Sequence, residues 1–188
     1  MQPTVNVPNT ERGRGSRVPT LLPALLICLF ASIGTSVAQS PAPKPATPAV
    51  QSDAQKAFEK MKTLAGSWQG SIMNIPITIT MGVASSGNAI MHEATTSGGR
   101  PPDHEITMFY LEGDRLLATH FCDGGNRARF EGKMSPDGKT FEFSFLDVAG
   151  NTRGGLVKRM VFTINDANHH VVEFTFITPD GKSMELHG

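Results

Sequence analysis

From Ile75 onward, apolar and polar residues trade places at every second position, the period of a strand with one face buried. Ile75, Ile77, Ile79 and Met81 fall on one face, with Thr78 and Thr80 on the other. Ala128, Phe130 and Met134 oppose Arg127, Arg129, Glu131 and Lys133, and Phe141, Phe143 and Phe145 alternate with Glu142 and Ser144. Met160, Phe162 and Ile164 repeat the pattern, as do Val172, Phe174 and Phe176, before a last short segment from Ser183 to His187.

Turn chemistry separates these runs. Ser85-Ser86-Gly87-Asn88, Glu112-Gly113-Asp114, Ser135-Pro136-Asp137-Gly138 and Pro179-Asp180-Gly181 each supply residues that favour reversal. A longer loop runs from Ser97 to Asp103, where two glycines and two prolines cannot sit inside a ladder. About ten short strands joined this way predict an all-β, antiparallel up-and-down barrel, with a two-sheet sandwich as the alternative. Closing a barrel requires the last strand, Ser183 to His187, to meet the first, because an open edge invites association.

Before the strands the period is helical. Ala54, Phe58, Met61 and Leu64 share a face, while Lys56, Glu59, Lys60 and Lys62 lie mostly on the other. Asp53 is placed to cap this helix and Gly66 to stop it, and in a barrel Phe58 and Met61 would plug one end. Next comes Gly66-Ser67-Trp68-Gln69-Gly70, which holds the only tryptophan. Trp68 is expected to pack across the barrel floor, and Gly70 to allow close backbone approach in the first strand.

The N-terminal third reads differently. Arg12, Arg14 and Arg17 precede an apolar run from Leu21 to Ile33, and Ser36-Val37-Ala38 offers the small residues of a cleavage site. Residues 1–38 are therefore expected to be a signal peptide, with an uncleaved anchor as the alternative; about 13 apolar residues are too few to span a bilayer comfortably. Cys28 lies in that run after Ile27, which is not the small residue a lipidation signal wants. Residues 39–52 form a Pro/Ala-rich linker, and the barrel domain is expected over 53–188. The protein is expected to be exported, to the periplasm or beyond the cell.

Charge then narrows the partners. Cleavage removes three arginines and Glu11 from 17 basic and 17 acidic residues, leaving 14 and 16, with no footprint for nucleic acid. A single thiol, Cys122, remains, so packing rather than an internal disulfide must hold the domain. No stable membrane insertion is expected after cleavage.

The helix leading into Gly66, Trp68 and Gly70, the Glu112-Gly113-Asp114 hairpin, and the segment from Thr119-His120-Phe121-Cys122 to Gly125-Asn126 carry a resemblance. Over residues 53–188 the chain resembles the lipocalin-like (calycin-type) domains of exported bacterial proteins, and more distantly the nitrobindin-type haem barrels. The first resemblance implies architecture and no reaction. The second implies a haem ligand on a late strand, where His187 stands; alternation puts His187 with Ser183 and Glu185, facing outward, whereas an axial histidine must face the pocket.

Candidate chemistry centres on one strand. Leu116, Ala118, His120 and Cys122 share a face, so an imidazole and a thiol point inward together, with Asn126 and Arg127 just beyond at the rim. His120 could orient a ligand, bind a metal, act as a general base, or be a hydrogen-bonded core residue beside an inert buried thiol. No metal ligand set is expected, because no third donor stands at a useful spacing. His92-Glu93 and His104-Glu105 read as rim residues and His169-His170 as an exposed turn. No catalytic motif is present, and no cofactor other than haem is suggested. The expected function is binding of a small, largely apolar molecule, with Phe143 and Phe174 among the aromatics lining a cavity; the same residues could fill a solid core.

Overall fold

A computed structural model describes residues 50–98 and 103–188. The expected signal peptide with Cys28, the linker up to residue 49, and residues 99–102 of the long loop lie outside the described residues. Helix α1 (Asp53–Lys62) leads into ten strands: β1 (Gly66–Ile72), β2 (Ile75–Ala84), β3 (Ala89–Thr96), β4 (His104–Glu112) and β5 (Arg115–Phe121), then β6 (Asn126–Met134), β7 (Thr140–Gly150), β8 (Leu156–Ile164), β9 (His170–Ile177) and β10 (Ser183–His187). They form one antiparallel sheet in sequence order, curled into a nearly closed barrel.

The helix start corrects the expected cap. Ser52, not Asp53, is the N-cap: its Oγ accepts from the Gln55 amide at 3.2 Å, and Gln55 Oε1 accepts from the Ser52 amide at 2.9 Å. This reciprocal pair satisfies two amides at once, which a lone Asp53 could not. Asp53 sits in the first turn, where a negative charge suits the helix dipole, and accepts from Lys56 at 2.8 Å. The helix ends at Lys62, and one tighter turn through Ala65 follows, its amide bonded to the Lys62 carbonyl at 3.1 Å. Gly66 then takes φ +152°, which strains other residues, and turns the chain directly into β1.

One end of the barrel is solid. Ala57, Phe58 and Met61 of α1, and Leu64 just after it, meet Ile90, Phe109, Leu116, Phe130, Phe141, Phe143, Met160 and Phe162 in one buried cluster. Phe109, Phe143 and Phe162 contact one another through tilted or edge-on rings with centroids 5.1–6.0 Å apart. Each such buried side chain contributes about 1.5–3 kcal/mol.

Two register shifts bend the wall, one between β6 and β7 at Arg129/Phe130 and one between β8 and β9 at Val157/Arg159. At the first, Phe130 pairs with Phe145 but Arg129 with Asp147, so Leu146 is left over and exposed, and β7 turns Phe145 and then Val148 to the core. Outside, Arg115 pairs with Glu131, Arg129 with Asp147, and Arg159 with Glu142, each across neighbouring strands. Among the described residues, ladders join β1 only to β2 and β10 only to β9, and Gly188 lies beside Ser71 and Ile72. Among the described residues no helix is long and apolar enough to cross a membrane.

Candidate functional site

A cavity of ≈ 360 Å³ opens inside the barrel, walled by residues of β1–β4 and β8–β10. Its apolar wall includes Ile77, Ile79, Val157, Val172, Phe174 and Phe176. At the β1–β2 turn, Met73 and Asn74 both hold positive φ, as a two-residue hairpin with the handedness of the sheet requires. That turn sets Met73 and Ile75 at the cavity's edge as exposed apolar side chains.

Three polar rings face this space. Trp68 is half-buried, its indole N–H donating to the Leu64 carbonyl at 2.9 Å, and its ring stands edge-on to His170 with centroids 4.3 Å apart. Trp68 thus ties the end of α1 to β1 and spans to β9. His170 Nδ1 and His92 Nε2 are buried atoms without a hydrogen-bond partner among the described residues. His92 is 3% exposed, and burial first, then the charge repulsion of His120, push its pKa down to about 4. Burial also lowers that of His170, so both rings are neutral at pH 7.

Both histidines depart from the sequence reading, which placed His92 at a solvated rim and His170 in an exposed turn. His92 follows Ile90 on the inward face of β3, and His170 precedes Val172 and Phe174 on β9. Alternation within each strand was the available signal.

A second cluster forms where β4 and β5 pair. Thr107 stands opposite both His92 and His120, so three polar side chains cross the inner wall in one row. The His120 Nδ1 and Thr107 Oγ1 atoms are 2.9 Å apart and buried. His120 Nε2 is also buried and has no hydrogen-bond partner among the described residues; it faces Glu105 Oε2 at 3.5 Å. Cys122, half-buried, completes a trio in which one donor atom each from Glu105, His120 and Cys122 lies within 4.8 Å of the others. Burial lowers the His120 pKa, while burial and the Glu105 carboxylate push the Cys122 thiol up to about 11. The third donor comes from the neighbouring strand, where spacing along β5 alone cannot reveal it.

The remaining sequence candidates separate. His120 and Cys122 are not in the cavity wall itself, whereas Glu105 belongs to both the wall and the trio. Asn126 is buried, but its Nδ2 donates to the Gly155 carbonyl at 3.1 Å, so it fastens the loop before β8 rather than facing the cavity. Arg127 does not join the site: it is exposed on β6, because its neighbours Asn126 and Ala128 take the inward positions. Phe143 does not line the cavity either; it is fully buried in the solid end, against Phe109 and Phe162. Phe174 does line it.

Gly70 corrects its expected role. A Cβ there would meet only Ile77 Cγ2 at 3.9 Å, an ordinary contact, so no close backbone approach requires glycine. Gly70 borders the cavity, and its missing side chain leaves space there. His187 is exposed on β10, where Nδ1 contacts Glu173 Oε1 at 3.1 Å. His104 Nε2 lies 2.7 Å from Glu93 Oε1 on the outside, while Glu105 turns toward His120.

Set against known proteins, the chain matches no family model and no curated protein sequence.

Proposed function

We propose that this barrel binds a small, largely apolar molecule carrying one polar group, in the manner of a lipocalin-like carrier working outside the cytoplasm. The observation that carries the reading is the ≈ 360 Å³ cavity, with an apolar wall that also includes His92 and His170, each of which has a buried ring nitrogen with no hydrogen-bond partner among the described residues. Its volume falls at the lower part of the range of about 300–1,000 Å³ usual for small-molecule sites. An unpaired buried polar atom costs about 1–3 kcal/mol, and a ligand hydroxyl or carbonyl at His92 Nε2 or His170 Nδ1 would recover part of it. Neutral imidazoles suit this role, since each can donate or accept according to its tautomer.

The lipocalin-like reading is supported by the helix entering a Gly66-x-Trp68 strand followed by a meander of nine more strands. Export is supported by the arginines, apolar run and Ser36-Val37-Ala38 that precede the domain. Native mass spectrometry of protein purified from its own cells tests both points. The expected result is a chain beginning at Gln39 with an additional small mass released on gentle activation. Medium-chain alcohols titrated into the protein are expected to change the emission of Trp68 saturably, because that ring is in the wall. Binding is overturned by a chain with no added mass whose emission ignores the whole alcohol series. A chain still beginning at Met1 would overturn cleavage after Ala38 in favour of the uncleaved anchor, while leaving the binding result to stand.

A further inference from the structure

We infer that Glu105, His120 and Cys122 form a binding site for one zinc-class divalent cation, set in the inner wall between β4 and β5. Three different donors converge there, a carboxylate oxygen, an imidazole nitrogen and a sulfur, all within 4.8 Å of one another. The 3.5 Å between His120 Nε2 and Glu105 Oε2 is long for a hydrogen bond. It is close to the edge of about 3.4 Å that two ligands at about 2.0–2.1 Å make in a tetrahedral zinc site. Among the described residues the Nε2 atom has no hydrogen-bond partner, although its side chain is 3% exposed and its residue 2%.

The tautomer is provided for. A cation at Nε2 needs the proton on Nδ1, and Thr107 Oγ1 stands 2.9 Å from Nδ1 to accept it. Such a second partner fixes the ring and raises its strength as a ligand. Neutral imidazole is the form that binds a metal. Cys122 binds as the thiolate, so its proton passes to solvent as the sulfur–metal bond forms. A mixed nitrogen, sulfur and oxygen set favours borderline ions such as Zn²⁺ and Co²⁺ over Mg²⁺ or Ca²⁺, which prefer oxygen alone. Three protein ligands leave a fourth position open, and Glu105 connects the site to the cavity wall. The site is independent of whether the cavity holds an organic ligand.

Titration of the purified protein with Co²⁺, followed by absorbance, tests the assignment. One equivalent is expected to raise a sulfur-to-cobalt charge-transfer band in the near ultraviolet, which Zn²⁺ then abolishes by displacement. Cys122→Ser is expected to lose the band. Glu105→Gln, at a half-buried position that should not disturb folding, is expected to weaken binding by more than about tenfold, and Thr107→Val by about tenfold. His187→Ala, on the outer face, is expected to bind as the unaltered protein does. Absence of the band in the unaltered protein would overturn the site. So would a Glu105→Gln variant, folded by circular dichroism, that binds Co²⁺ with unchanged affinity, because the thiol would then be acting without the trio.

Discussion

His92 is the residue whose environment differs most from its apparent place in the sequence. An imidazole that titrates near 6.5 when exposed is held near about 4 here, chiefly because burial penalises its charged form. Between those two values the unfolded chain binds a proton that the folded chain refuses. Stability is therefore full above pH 6.5 and falls as the pH drops toward 4, by up to about 1.4 kcal/mol per unit and on the order of 3 kcal/mol in all. His120 and His170, lowered by burial, act in the same direction, with Glu105 opposing at His120. Urea unfolding at about pH 7 and about pH 4.5 should show a smaller acid loss in His92→Gln than in the unaltered protein. Equal losses would mean that His92 is not the group excluded from protonation. The inward position of His92 was legible from Ile90 two residues earlier; the partnership of Glu105 with His120 and Cys122 was not, since it depends on register across strands.

At the scale of elements, alternation and turn residues carried most of the information. The phenylalanine runs and the Pro-Asp-Gly and Glu-Gly-Asp turns locate strands because each has a direct steric cause. The Met73-Asn74 turn was hidden because it reaches positive φ without a glycine, and the bulge at Leu146 because alternation alone assumes unbroken pairing. Gly132 shows how closely neighbouring strands depend on each other. It faces Phe143 across the β6–β7 ladder, and a Cβ at that position would stand 2.4 Å from Phe143 Cε1. That ring is fully buried among Phe109 and Phe162, so it has little room to retreat. Gly132→Ala is expected to lower stability by about 1–3 kcal/mol through overpacking, measured as a lower urea midpoint with an unchanged slope. An unchanged midpoint would show that the aromatic cluster yields more readily than its packing implies.

The whole molecule combines a solid end and a hollow one, and this division could not be read from hydrophobic pattern. Phe143 and Phe174 occupy equivalent inward positions on their strands, yet one is fully buried against Phe109 and Phe162 and the other borders the cavity. What separates them is where the helix lands and how β1 and β9 face each other across Trp68 and His170. Gly70 sits on that hollow side, and a side chain placed there would extend past Ile77 Cγ2 into empty space rather than into backbone. Gly70→Leu is therefore expected to fill part of the cavity with folding stability held or raised by about 0.5–2 kcal/mol, as cavity-filling changes commonly achieve. The same substitution should reduce saturable alcohol binding, read from Trp68 emission, because leucine takes the volume the ligand needs. Stability and binding then move in opposite directions, which a general loosening of the barrel cannot produce. A Gly70→Leu protein that folds and still binds alcohols as the unaltered protein does would place the binding site outside this cavity.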